Sequence, residues 1–511
     1  MILDSRHSRA PLQRVAWTPL ALLALLASDN LLAAEWEKAA SVSASAFWTD
    51  NFCLSRDDKE AEIVETVTPA VRLAGRGARA NVALDARVEF NTAGQSDIEC
   101  LGGAGGGQGG LLNNRESVIP SGSFTADYEA IENWLVLEAN AFAGFNPVNP
   151  FAAGNNDAIN GRNNNNITYR WGVGARIERE FERELGLSVR YNYNEQYNSV
   201  NQVFGDSSED RVDASLRMLP GTSRFLLSAV GRYSEVSFEE TAFNPAFTNT
   251  LASAELRASF ALTNSWEINA LAGEEFNEFL STTDEIDGEY WDVGLRWTPN
   301  SRVTVDVGTG ERFFGDTPRA SVSYRHKRSR LSMSYERNLS FPRNLRAPAT
   351  GSADDPFPPG FNDLPGDPVD PDGNPVLIGD SPILNESLTL NYSYSARRTR
   401  FNVTARESKQ TRARDLASGT FRNASVGVTR ELGFGISFST RLSWRESEGT
   451  GAENDLFGQN VEAWIGDVVL SKRIARRTSA SFSYRYTDQQ SDFALNEYQE
   501  NRLTLSLRHD F

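Results

Sequence analysis

Asn501-Arg502-Leu503-Thr504-Leu505-Ser506-Leu507-Arg508-His509-Asp510-Phe511 closes the chain. In an extended strand Leu503, Leu505, Leu507 and Phe511 face one way, and Thr504, Ser506, Arg508 and Asp510 the other. A final strand with a bare apolar face is an aggregation hazard in a soluble sheet. As the closing strand of an outer-membrane barrel it meets two solvents, lipid outside and water in the lumen. An edge strand of a soluble sandwich is the competing possibility, and the preceding chain weighs against it.

The same period of two recurs upstream. Leu185, Leu187, Val189, Tyr191 and Tyr193 alternate with Gly186, Ser188, Arg190, Asn192 and Asn194. Phe434, Ile436, Phe438, Leu442 and Trp444 alternate with Gly435, Ser437, Ser439, Arg441, Ser443 and Arg445. Trp291/Val293/Leu295/Trp297, Leu388/Leu390/Tyr392/Tyr394 and Ala480/Phe482/Tyr484/Tyr486 repeat it. Leu, Val and Phe hold the strand middles and Trp and Tyr the ends, as expected of aromatic girdles at two membrane interfaces.

Ten short turns punctuate these segments, near Gly75-Arg76-Gly77, Ile131-Glu132, Phe181-Glu182, Pro220-Gly221, Thr263-Asn264, Pro299-Asn300, Lys327-Arg328, Ala396-Arg397, Leu432-Gly433 and Ala475-Arg476. Between them lie longer polar loops. With both ends on the short-turn side, ten turns predict an all-β, transmembrane antiparallel β-barrel of roughly 22 strands, within a range of about 16 to 22. The short turns belong on the periplasmic side and the long loops outside. Residues 91–120 hold the Gly-rich run Gly102 to Gly110, residues 144–166 hold Asn163 to Asn166, and residues 351–380 contain seven Asp and no Lys or Arg. Such segments bury too little apolar surface to fold alone.

Mean hydropathy is −0.44, and the one long apolar run lies near the N-terminus, so a membrane-spanning helical bundle is excluded. Residues 1–34 read as a secretory signal: Arg6, Arg9 and Arg14 form the basic region, Leu20 to Leu26 the apolar one, and cleavage is expected before Glu35. Residues 35–511 then form one barrel domain. Strands begin by Ser41, so no N-terminal plug is expected ahead of the barrel. The net charge is −17; residues 1–34 carry three Arg and two Asp, so the remainder stands at −18. That balance argues against nucleic acid as a partner.

Lumen-facing mid-strand positions carry the charges. Arg176, Arg190, Arg257, Arg296, Arg441 and Arg485, with Asp213, Asp292 and Asp306, are the candidate pore-lining residues; Arg217, Arg325, Arg406, Asp85 and Glu255 share their setting. Two roles fit them. They could set a transverse field favouring polar or anionic solutes, or simply hydrate the lumen and pair across strands.

Cys53 and Cys100 fall in the first two outer loops, where an oxidising compartment favours a disulfide over two free thiols. Asp367, Asp370 and Asp372-Gly373-Asn374 share part of a calcium loop's pattern, but the closing Glu is missing, which leaves a solvated acidic loop. With three His in the chain, and no Ser near His326 or His509 in a recognisable motif, no catalytic residues, metal or cofactor are expected.

Two resemblances follow from specific residues. The alternating Leu503, Leu505 and Leu507 with terminal Phe511 resemble the assembly signal of outer-membrane barrels, His509 departing from it at a place usually apolar. That implies the barrel assembly machinery, lipid and lipopolysaccharide as partners. Phe47-Trp48-Thr49-Asp50-Asn51, then Val64-Glu65-Thr66-Val67-Thr68-Pro69-Ala70-Val71, then Gly77-Ala78-Arg79-Ala80 resemble the barrels that accompany PEP-CTERM/exosortase systems and exopolysaccharide gene clusters in Gram-negative bacteria. The resemblance implies a porin-like channel that serves polysaccharide export alongside periplasmic components. A structural or adhesive surface barrel acting through its loops, and a gated transporter, stand as alternatives.

Overall fold

A computed structural model describes residues 35–93, 118–147, 165–182, 184–199, 205–219, 224–241, 245–282, 286–340, 382–414, 416–450 and 460–511. The signal segment 1–34, Cys100, the Gly102 to Gly110 run, the Pro220-Gly221 turn and the acidic loop with Asp367, Asp370 and Asp372 lie outside the described residues.

The strands are β1 Glu35–Thr49, β2 Glu62–Arg76, β3 Ala80–Ala93, β4 Val118–Ile131, β5 Leu135–Pro147, β6 Asn165–Phe181, β7 Leu185–Asn198 and β8 Ser207–Met218. They continue as β9 Phe225–Phe238, β10 Phe247–Ala261, β11 Trp266–Glu278, β12 Gly288–Asn300, β13 Val303–Arg312, β14 Gly315–Asp316, β15 Arg319–His326 and β16 Ser329–Ser340. The last are β17 Ile383–Ser395, β18 Thr399–Arg412, β19 Ser418–Gly433, β20 Ile436–Thr450, β21 Asn460–Ala475, β22 Thr478–Ser491 and β23 Tyr498–Asp510. The two-residue β14 and β15 both pair antiparallel with β13 and together make one crossing, interrupted at Thr317-Pro318. Proline's missing N–H breaks the ladder there. The sheet therefore crosses 22 times.

Every strand pairs antiparallel with its sequence neighbours, and β1 closes on β23 from Ser41↔Asp510 to Thr49↔Arg502. Closure leaves no free edge, the condition under which a sheet can sit in hydrocarbon. Pro69 illustrates the constraint inside a strand. β2 keeps its register with β1 through Val42↔Pro69, whereas its pairing with β3 runs from Val67↔Phe90 to Ala70↔Arg87 and skips Thr68 and Pro69.

Parity sets the two faces. Leu503, Leu505 and Leu507 are 37, 63 and 49 % exposed and lie on the outward face with Leu256, Leu442, Trp464 and Phe482. In β1 the outward Trp36 and Trp48 stand twelve residues apart. At a rise of about 3.3 Å and a tilt of about 40° that is an axial separation of roughly 30 Å, the span of an apolar band with its girdles. Trp266 and Trp297, paired in register, stack at 5.5 Å on the periplasmic-end girdle.

The tight turns use left-handed residues where the sequence has Asn or Gly: Asn133 has φ 56°, Gly433 98° and Gly435 71°. Phe434 needs a correction. The apolar alternation runs it into β20, but it sits in the turn between those two glycines with φ 52° and is 98 % exposed. The flanking glycines permit the reversal, and the strand starts at Ile436. The first strand begins at Glu35, six residues before Ser41.

Candidate functional site in the barrel lumen

The inward face carries every candidate pore-lining residue, because each shares the parity of a neighbour fixed by register. Arg176 Nε donates to Glu138 at 2.9 Å and Arg176 Nη1 to Glu178 at 2.6 Å. Arg190 Nη2 meets the same Glu138 at 2.8 Å. Asp213 accepts from Arg211 Nε at 2.8 Å. Arg257 bonds Glu255, which Arg232 approaches at 3.3 Å and to which the Tyr290 hydroxyl donates at 2.7 Å. Arg296 donates to Asp306 at 3.1 Å, and Arg319 joins Asp292, at 2.8 Å, to Asp306. Arg485 donates to Asp467 at 2.7 Å. Around Arg217, Arg257, Asn269, Asp292, Arg296 and Arg319 the wall forms a niche of about 530 Å³.

Arg441 differs: its register partners are Gly427 and Asp467, and it is exposed to the lumen. Glu138, Arg211, Arg319 and Asp467 were not singled out from the sequence. Their parity within strands was the available signal; their partners, set by register, were not.

Exposure divides the lumen along its axis. Inward side chains toward the outer ends are buried, among them Arg170, Asn194, Asn423, Arg445 and Gln489. Inward Arg72, Arg87, Arg325, Arg330 and Arg441 are exposed. Among the described residues, the inward wall is therefore covered toward the outer ends of the strands and exposed toward their periplasmic ends.

Described residues of three loops contribute. The β1–β2 loop folds inward: Asn51 donates to the Ser55 carbonyl at 2.7 Å and the Gln499 carbonyl at 2.8 Å, Leu54 clusters with Tyr498, and Cys53 is 5 % exposed and disulfide-bonded. The β11–β12 loop meets the β18–β19 loop, whose strands lie well round the barrel: the Thr282 N–H donates to the Ala413 carbonyl at 3.1 Å, and Ser281 and Thr282 hydroxyls approach the same oxygen. That contact straps part of the mouth.

Similar solved structures share this architecture. A mutant of the ferric enterobactin receptor PfeA from Pseudomonas aeruginosa matches at TM-score 0.52 and 10 % identity, over 93 % of this chain and 80 % of that one. The siderophore receptor PirA from Acinetobacter baumannii matches at 0.52 and 9 %, over 93 % and 80 %. The FrpB iron transporter from Neisseria meningitidis matches at 0.50 and 10 %, over 94 % and 83 %. The protein is a β-barrel of the bacterial outer membrane. At such identities the likeness concerns the fold alone. No family model and no curated protein matches the sequence.

Proposed function

We propose that this barrel is a gated conduit for polar solutes across the outer membrane. The supporting observation is the axial contrast of the lumen: wide and charged toward the periplasm, packed and strapped by Thr282–Ala413 toward the outside. A hydrated, charged wall suits solutes that carry their own hydrogen-bonding groups, and a bonded mouth suits passage that awaits loop movement. The siderophore receptors and the iron transporter that share the fold agree with gating rather than free diffusion. Service to exopolysaccharide export rests on the resemblance of the first hairpin alone.

Single-channel recording in a planar bilayer tests the proposal. The wild type is expected to give rare or small steps. Thr282→Pro, which removes the N–H donated to Ala413, is expected to give larger and more frequent ones. If variants shown to be folded and inserted stay silent after the mouth contacts are cut, the conduit fails and a surface barrel acting through its loops takes its place.

A further inference from the structure

One register row of the lumen carries an excess of arginine over its register neighbours among the described residues. From β15 to β23 the inward residues of this row include Arg325, Arg330, Arg441, Asp467, Arg485 and Arg502, joined by the pairings Arg325↔Arg330, Arg441↔Asp467, Asp467↔Arg485 and Arg485↔Arg502. Between Arg330 and Arg441 the row passes through Ser393, Asn402 and Gly427. Five arginines thus share a row with one aspartate, in a chain with 68 acidic and 51 basic residues. On the wall from β5 to β15 the pattern differs: Glu138, Glu255, Asp292 and Asp306 each sit against one or two guanidiniums.

Like charges placed directly opposite in a ladder destabilise it. Arg325 and Arg330 are such a pair, both are exposed, and the turn that joins their strands adds Lys327 and Arg328. No carboxylate forms an ion pair with Arg325, Arg330 or Arg441 among the described residues.

The row also climbs. A register row runs perpendicular to strands that tilt about 40° from the barrel axis, so it ascends as a helix along the wall. Arg330 is the second residue of β16, Arg441 the sixth of β20 and Arg485 the eighth of β22, and Arg502 lies eight residues above the periplasmic end of β23. At about 4.8 Å per strand step, Arg330 and Arg441 are roughly 19 Å apart, Arg441 and Arg485 roughly 10 Å, and Arg485 and Arg502 about 5 Å. One hydroxyl, Ser393, and one amide, Asn402, fill the long step, and Gly427 keeps it low. Arg502 closes the row beneath the inward-folded β1–β2 loop, stacked on Phe47 at 4.5 Å and paired with Glu500 at 2.9 Å, so the free stretch of the row ends at Arg485.

We propose that this row is a track for anions bearing several charges along their length, entering from the periplasmic rim and passed from Arg325 and Arg330 to Arg441 and Arg485. The assignment of solute class rests on the conduit proposed above. Each guanidinium presents two or more donors to a carboxylate or phosphate. Spaced sites of moderate strength let an anion step upward without being held at one of them. Asp467, between Arg441 and Arg485, weakens the hold at the middle of the climb.

The test uses the full-length protein with the mouth contact cut by Thr282→Pro. In a planar bilayer under a potassium chloride gradient, the reversal potential should lie toward the chloride equilibrium value, and tripolyphosphate added on the periplasmic side should block the current. R441Q/R485Q should bring the anion preference several-fold toward unity and raise the blocking concentration of tripolyphosphate about tenfold. Arg441→Lys should keep most of both. R325Q/R330Q, at an exposed rim where folding is not at stake, should weaken the block from the periplasmic side more than from the outer side. Cation preference, or block unchanged by removing these arginines, overturns the track while leaving the conduit standing. Calorimetric binding of tripolyphosphate to the folded protein in detergent separates the two failures. Binding lost in R441Q/R485Q, from protein that never conducts, upholds the row as an anion site and rejects the conduit; no binding in the wild type rejects the row.

Discussion

Arg319 reaches Asn269 across two intervening strands, its Nη2 donating to Oδ1 at 2.7 Å. The four positions Asn269, Gly294, Gly308 and Arg319 form one register row over β11, β12, β13 and β15. The two glycines make the reach possible. A Cβ on Gly308 would stand 2.8 Å from Arg319 Cζ, and one on Gly294 would collide with the same guanidinium and with Asn269 Oδ1. The arginine therefore lies flat on a bare strip of backbone and closes Asp292 and Asp306 into one network. This keeps a long cation out of the lumen and ties four strands together beside the Pro318 break.

Gly308→Val should destroy that arrangement. Valine suits a strand, so the loss would come from the collision and not from the backbone. Arg319 would have to lift into the lumen and give up Asn269, and the barrel should lose about 1–3 kcal/mol. Urea titration of the refolded protein, followed by tryptophan fluorescence, measures it. An unmoved midpoint would show that Arg319 has another place to go at no cost.

Arg319→Met should act through the carboxylates. With the guanidinium gone, Asp292 has no other cation bonded to it among the described residues, while Asp306 keeps Arg296. An unpaired carboxylate beside a second one is costly when ionised, and the expected loss at neutral pH is about 1–3 kcal/mol. Adding Asp292→Asn should recover part of the neutral-pH loss; a strictly additive double variant would mean that the two side chains are not coupled.

The barrel was legible because two simple signals agree. Alternation identified the faces, and short turns, several of them at Gly, Pro or Asn, spaced the hairpins, so the crossing number followed. Parity put Arg176, Arg441 and Asp306 inside without any knowledge of their partners. Partners depend on stagger between strands: Glu138, which binds Arg190, lies 52 residues away in sequence. The row from Arg325 to Arg502 needs register across nine strands, and no local pattern carries that. Phe434 shows the opposite failure. Its local pattern continues the strand, and only the glycines on either side mark the reversal.

Freeing the β1–β2 loop should expose it to protease. Its inward fold rests on the Cys53 disulfide, Leu54 against Tyr498, and Arg56 Nη1 with Glu497 at 2.5 Å. The ion pair is largely solvated and contributes little, so reduction should be the larger perturbation. After treatment with dithiothreitol, or in Cys53→Ser, trypsin should cut after Arg56 or Lys59 several-fold faster while the barrel keeps its heat-modifiable mobility on gels. Equal cleavage rates with and without the disulfide would assign the loop's order to its hydrogen bonds, Asn51 first.

Phe511 should matter more for assembly than for stability. Its N–H donates to the Ala40 carbonyl at 2.8 Å, a bond any non-proline residue there can make, and its ring meets His509 edge-on at 5.0 Å, while 67 % of the residue stays exposed on the outward face. Phe511→Ser should therefore shift the unfolding midpoint of refolded barrel by no more than about 0.5 kcal/mol, yet lower the amount of heat-modifiable protein in outer-membrane fractions several-fold. The two readouts separate recognition from packing. A terminal ring that the assembly machinery reads would depress the level alone. One that merely seals the β1–β23 seam would depress both together, because the same lost contact would then limit the folded state wherever it forms.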